Sequence, residues 1–188
     1  MRFGIPEEFA SKFLQGVLTE FTQAHSRISL HIECDLTLNL YDKFKKGDLD
    51  LTVVKTKNPQ DFPNALELAS DKLVWFGDAN LIKEGSPIPL VLSPDPCIYR
   101  QSVITALDEA GMQWRVAFSS HSYASKISAV KAGVGLTIMP HSMQSSQLHP
   151  IQSGILPGLG RSYILLLKNS DKNPAINSFA DFIIKNIR

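Results

Sequence analysis

An α/β fold of two similar Rossmann-like lobes is the architecture this sequence predicts, and three observations carry it. Short β-rich runs alternate along the chain with longer runs of helical period. The order strand, helix, strand, helix, strand occurs twice, which implies parallel strands joined by right-handed crossovers. With 188 residues in all, neither half is long enough to bury a comfortably independent core, so the two lobes are expected to face each other across a ligand cleft.

The first unit opens with a strand, RFGIP (2–6). A helix over 7–25 follows, with Phe9, Phe13, Leu14, Val17, Leu18 and Phe21 on one face. RISLHIEC (27–34) alternates Ile28, Leu30, Ile32 and Cys34 on one side, the period of a strand. Residues 36–47 read as a helix with Thr37 as its N-cap and Gly47 just past its end. LDLTVV (49–54) is nearly all apolar, as a strand covered on both faces should be. After the break KNPQDFPN (57–64), residues 66–77 read as a long strand or a pair of strands. The second unit has strands at 88–93, 114–120 and 134–140 around helices at 98–111 and 122–133. LHPI (148–151), SYILLL (162–167) and a helix over 173–187 close the chain. The expected partition is 1–75 with 153–188 as one lobe and 76–152 as the other, the chain crossing near Val74–Phe76 and Gln152–Gly154.

Composition excludes several function classes. The 44% hydrophobic content is that of a folded soluble domain, and no apolar run approaches the ~18 residues of a membrane span. The start MRFGIPEEFA lacks the apolar segment of an export signal, so a cytoplasmic location is expected. Nineteen Lys and Arg against 18 Asp and Glu leave +1, far from the basic face a nucleic-acid binder needs. Two cysteines, Cys34 and Cys97, cannot build a zinc site, and two reduced thiols are the expectation, a redox pair the alternative.

Enzyme signatures such as GxSxG, a P-loop or HExxH are absent, and the glycines of GILPGLGR (154–161) lack the flanking strand and helix of a dinucleotide fingerprint. The five histidines show no metal-ligand spacing on a helix, and no cofactor or metal is expected. What remains is geometry. In open α/β sheets ligands bind beyond the carboxyl ends of strands, where helix N–H groups point outward. Four junctions qualify: Pro6-Glu7-Glu8, Asp35-Leu36-Thr37, Pro94 to Arg100, and Ser119-Ser120-His121-Ser122. Thr37 and Ser122 are preferred caps regardless of any ligand. Arg100 opposes the dipole of its own helix, which makes it harder to explain by stability alone. His121 between two serines is the one constellation an enzyme could use, and no acidic partner for it is identifiable.

TLNLYDKFKKGDLDLTVVK resembles the Ser/Thr-x-x-Leu-Leu-x-x-Leu-x-x-Gly-x-Leu-Asp-Leu stretch of LysR-type transcriptional regulators, and SSHSYASKISAVKAGVGLTIMPHSM is similar to that family's Ser-x-Ser stretch followed by Ala-Ala-Val-x-Ala-Gly-Leu-Gly-Val-Thr-Leu-Leu-Pro. Residues 2–33 fit its opening strand, helix and second strand, although Gln15 stands where a proline is usual, and PCIYRQSVITALDEAGMQWRVAF is similar to a subgroup. Order and spacing over nearly the whole chain make the resemblance specific. It implies a type II periplasmic-binding-protein-like effector domain without catalysis, which binds a small metabolite in its cleft and transmits the event to DNA binding. By position, Thr37 and the hydroxyls of Ser119, Ser120 and Ser122 match usual effector contacts. With Pro6, Glu7, Arg100, His121 and Pro140 they form the candidate ligand set. The expected effector is a carboxylate, or an amino-acid-like molecule if Glu7 and Glu8 face it, with Trp75 or Tyr99 as an aromatic wall.

The resemblance further implies a homodimer, or a tetramer in a full-length chain, in which helix 7–25 and strand 28–33 pack on helix 122–133 of the second subunit. Val17, Phe21 and Ile127 would suit that surface. DNA would be reached only through a winged helix-turn-helix that in such regulators precedes RFGIP, so the chain reads as a piece cut from a longer parent. A solute-binding protein of transport, which shares the fold, is the alternative.

Overall fold

The computed structural model describes residues 1–25, 27–145, 148–152, 154–169 and 173–186, without the side chains of residues 12–19. The side chains of the expected core positions Phe13, Leu14, Val17 and Leu18 therefore lie outside what is described. Two compact units emerge: Met1–Ser70 with Tyr163–Arg188, and Asp71–Ser162.

The first unit begins β1 (Arg2–Ile5), α1 (Glu7–Ala24), β2 (His31–Cys34), α2 (Thr37–Lys45) and β3 (Leu51–Thr56). β1 lies parallel to both β2 and β3, as the crossovers demand. At the register Gly4↔Thr52 a Cβ on Gly4 would meet the buried Leu49 and Thr52 side chains at 2.6 and 2.7 Å, so a larger residue there would have to displace them. α2 stops as its sequence directs, with Gly47 at φ +79° just beyond the last turn. β2 is shorter than the alternation over 27–34 suggested. Ile28 and Leu30 still pack against the core, without ladder partners.

The long run after the break is a single strand, β4 (Leu66–Phe76), whose residues 66–70 belong to this unit. The return strand β8 (Arg161–Lys168) pairs antiparallel with β3, Leu51↔Lys168 to Thr56↔Tyr163, so the sheet is mixed rather than parallel throughout. Both strands bury both faces. Leu51, Val53, Ile164 and Leu166 join Phe3, Phe21, Phe179 and Ile183 of the main core, while Val54, Leu165 and Leu167 pack with Phe62, Tyr41 and Phe44. The closing helix α5 (Pro174–Asn186) seats Phe179 between Phe3 and Phe21, with ring centroids at 5.0 and 4.7 Å. Phe21, expected on a subunit interface, is 1% exposed and belongs to its own core, because α5 supplies three-dimensional cover that the helix sequence alone does not reveal.

The second unit holds β5 (Ile88–Leu92), α3 (Ile98–Glu109), β6 (Trp114–Ser119), α4 (Tyr123–Lys131) and β7 (Thr137–Pro140). β5 and β6 are parallel and end together, Leu92 beside Ser119. β7 touches β5 in parallel at one bridge, Leu90↔Leu136, while its ladder runs antiparallel with β4 from Leu73↔Pro140 to Phe76↔Thr137. LHPI forms no strand; Leu148 and Pro150 make isolated bridges to Ser145 and Phe76. Phe76, Val91, Val130, Met139 and Leu148 form the core, with Ile127 packed against it.

Truncating the hub of the first unit, Phe179→Ala, should lower unfolding stability by about 3–5 kcal/mol in urea denaturation. A loss below about 1 kcal/mol would show that the aromatic cluster does not anchor α5.

Candidate functional site

Because β1, β2 and β3 are parallel neighbours, their carboxyl ends and the helices that follow share one edge of the first unit. Pro6 caps α1 with its carbonyl, which accepts from the N–H groups of Phe9 and Ala10, and it is buried. Glu7 and Glu8 occupy the first turn. Thr37 is not the cap the sequence suggested. Leu36 holds that position, and the buried Thr37 hydroxyl accepts from the backbone N–H of Lys55 at 3.3 Å. Asp35 organises the turn instead, accepting from Leu36 N at 2.7 Å and Asn39 Nδ2 at 2.9 Å.

The decisive group at this edge escaped the sequence reading. Lys55 sits near the end of β3 with its side chain 5% exposed, and its ammonium donates to the Glu8 carboxylate, itself 12% exposed. An ammonium so far from water is tolerable only beside an opposite charge. Glu8 is thereby held by Lys55, so the argument for an ammonium-bearing effector rests on Glu7 alone. Glu7 in turn bears on Cys34: partial burial of the sulfur and then the Glu7 charge push this thiol up, although the residue as a whole is exposed. A raised thiol is a poor thiolate, and Cys97 is buried, which disfavours the redox alternative.

In the second unit, β5 and β6 place their following loops side by side. Arg100, in the first turn of α3, donates from Nη1 to the Ser93 carbonyl at 3.2 Å and meets Asp95 at 3.3 Å through Nε. Ser120 Oγ accepts from Ser122 N at 3.1 Å, and Ser122 caps α4 by accepting from Ser125 N at 3.3 Å. Ser119 and His121 are exposed beside them. Lys126, one turn beyond the Ser122 cap, donates to the buried Ser93 hydroxyl at 2.5 Å, a contact sequence reading missed. Pro140 ends β7 toward the same edge and is buried. The turn after it is clamped by Asp71, which accepts from Ser142 N at 2.6 Å. Burial alone would raise the Asp71 carboxyl. Donation from Ser142 and the Lys72 N–H, with the charge of His141, outweighs it and holds the group below the usual carboxylate range.

Neither expected aromatic wall is open. Trp75 is 6% exposed and its indole donates to the Pro157 carbonyl at 2.9 Å. Tyr99 is 7% exposed, with its hydroxyl 2.9 Å from Ser162 Oγ. Among the described residues no cluster of His, Cys, Asp and Glu could hold a metal ion, and no helix is long and apolar enough to cross a membrane.

Comparison with known proteins assigns this arrangement. The family model "LysR substrate binding domain" matches residues 1–188. The HTH-type transcriptional regulator DgdR of Burkholderia cepacia is 30% identical over 149 residues, 79% of this chain and 50% of that protein. PecT of Dickeya dadantii is 25% identical over 173 residues, 91% of this chain and 54% of its own length. The chain thus spans about half the length of the curated relatives it matches. Among solved structures, the Synechocystis CcmR regulatory domain in complex with 2-PG superposes with TM-score 0.75 at 17% identity, covering 98% of this chain and 95% of that one. The effector binding domain of QuiR in complex with shikimate gives 0.71 at 17%, with 98% and 95% covered. These likenesses show a shared fold, the type II periplasmic-binding-protein-like one.

Removing the Glu8 charge alone, Glu8→Gln, should cost about 3–5 kcal/mol, because the buried Lys55 ammonium loses its carboxylate. The double variant Glu8→Leu with Lys55→Met should regain most of that loss in the same denaturation assay. The Asp71 contribution is full above the unfolded carboxylate value near ~4 and disappears as pH falls through the lower folded value. Melting temperature should therefore fall more steeply below about pH 4 in wild type than in Asp71→Asn. Parallel curves would remove Asp71 from the account.

Proposed function

The chain belongs to the LysR substrate binding domain family, and from that premise we propose that it senses a small polar effector on behalf of a DNA-binding segment carried elsewhere in a longer cytoplasmic regulator. The single observation that supports the reading is the second unit's edge, where parallel β5 and β6 end together and lead into α3, with Arg100 in its first turn, and α4, capped by Ser122. Fixed N–H groups, hydroxyls and a guanidinium suit a carboxylate-bearing metabolite. Thr37, at the first unit's own junction, is a separate candidate contact. The relatives' complexes with 2-PG and shikimate support a small-molecule effector in kind, not in identity.

Sensing would proceed by population shift: the effector favours one arrangement of the regulator, and the DNA-binding part responds to that arrangement. A near-neutral net charge of +1 supports leaving DNA contact to another segment. Self-association as a homodimer, or a tetramer of the longer chain, belongs to the same reading. It is supported by edge strands β2 and β6 and helix α4, whose residues are largely half-buried or exposed within their own units. Phe21 has no part in it, and Ile127 already packs on its own core.

A panel of small carboxylates should contain at least one that raises the melting temperature by roughly 5–10 °C at a hundredfold excess over its Kd. Thr37→Val and Ser120→Ala should each reduce that rise. Variants that respond like wild type would remove these junctions from the site.

A further inference from the structure

The second unit has two edges, and the candidate junctions occupy one of them. β5 and β6 end together, Leu92 beside Ser119, and they also begin together, Ile88 beside Trp114. The length of β5 puts about 15 Å between those edges. Where the strands begin lies a cavity of about 660 Å³, within the ~300–1,000 Å³ of small-molecule sites. Every residue lining it belongs to the unit Asp71–Ser162.

Three segments of chain wall the cavity, and each is held by its own hydrogen bonds. The turn before β5 is closed by Ser86 N–H donating to the Lys83 carbonyl at 3.2 Å, with Gly85 at φ +71°. α3 runs out into Gly111 at φ +65°, and Met112 N–H returns to the Leu107 carbonyl at 2.9 Å. Gln113 then accepts from Ile88 N–H at 2.8 Å, which ties this segment to the start of β5. The third wall, the loop carrying Ile155, is tied to β4 on both sides of that residue. Ile151 N–H donates to the Trp75 carbonyl at 2.8 Å, and the Trp75 indole donates to the Pro157 carbonyl at 2.9 Å. Walls pinned at these points are pre-organised, which spares a ligand the cost of ordering them.

The lining sets the class of ligand. Its apolar part is Ile88, which is 3% exposed, the half-buried Ile82 and Met112, and Ile155. Ile155 is 67% exposed, the most exposed large apolar side chain among the described residues, and a molecule in the cavity would cover it. The flexible thioether of Met112 adapts to a ring and packs favourably against it. The charged part is one lysine and one glutamate, Lys83 and Glu84, both exposed. Neighbouring charges of opposite sign, in water, give little net pull on either an anion or a cation. Ser86 and Gln113 add neutral hydrogen-bonding groups.

We propose that this cavity is a second small-molecule site, separate from the effector junctions, for an uncharged aromatic molecule that carries a hydroxyl or amide. The apolar lining takes the rings, and Ser86 and Gln113 meet the polar group. The inference goes beyond the effector-binding reading and does not depend on it. The junctions at the other edge offer N–H groups and a guanidinium to an anion, so the two ends of one strand pair would sort ligands by charge.

The test titrates the whole 188-residue chain with naphthol, and with naphthoate as the anionic compound on the same rings. The reporter is the indole N–H resonance of Trp114, which lines the adjoining hollow together with Met112 and Gln113. Naphthol should shift that resonance saturably, with naphthoate binding roughly tenfold more weakly or worse. Ile155→Asp, a change at an exposed position, should weaken naphthol binding roughly tenfold while Ile155→Leu retains it. Lys83→Gln and Glu84→Gln should each leave it within about twofold, since a neutral ligand gives neither charge a partner. Equal affinity in wild type and Ile155→Asp would overturn the proposal, and so would naphthoate binding as tightly as naphthol. A change beyond about fivefold in either charge variant would overturn the neutral class. A dimer that Ile155→Asp dissociates in light scattering, with the Trp114 resonance unmoved by naphthol, would assign the surface to a second copy and overturn the site. The carboxylate panel and Thr37→Val report on the effector junctions separately, so either reading can fail while the other stands.

Discussion

Strands β3 and β8 are covered on both faces, and that constraint decides where polar chemistry can sit. Val53 and Leu166 face one apolar cluster while Val54, Leu165 and Leu167 face another. A polar side chain in the middle of either strand would need a partner inside hydrocarbon. The ends of parallel strands are different. There the chain turns, helices begin with unsatisfied N–H groups, and water is near. In the first unit Thr37 and Glu8 lie at such ends, and in the second Ser93, Arg100, Ser120 and Ser122 do, so each unit's candidate junctions follow from the way its own core is closed.

The fold was legible because its signals are local. Apolar periodicity marked the α-helices, and each βαβ order implied parallel neighbours β1, β2 and β3 or β5 and β6. Strand direction is another matter. SYILLL reads as a buried strand whichever way it runs, and only the chain's path makes β8 antiparallel to β3. LHPI reads as extended and is so, yet Pro150 lacks an N–H and Leu148 pairs only within its own turn, so no ladder forms.

The site was half legible. The junctions themselves follow from strand order, and Ser122 caps its helix as its residue type dictates. What failed were side chains whose meaning depends on a distant partner. The nearly all-apolar run LDLTVV ends at Val54. β3 continues through Lys55, made tolerable by Glu8 forty-seven residues earlier. Lys126 drew no notice because its partner Ser93 lies thirty-three residues earlier, just past β5. Thr37 looked like a cap because threonine is a good one. Its hydroxyl is instead taken by the backbone of β3.

Charge counting is blind to the same distinction. A sum of +1 treats Lys55 and Arg100 as equal, although burial separates them. Lys55 is too far from water to be released from Glu8 without a large desolvation penalty, so the pair behaves as a fixed neutral piece of the first unit. Arg100 instead meets Asp95, a carboxylate whose side chain is 69% exposed, and an ion pair so open to water contributes little. What a charge contributes to this chain is therefore set by how far the fold removes it from water, which a sum over the sequence does not record.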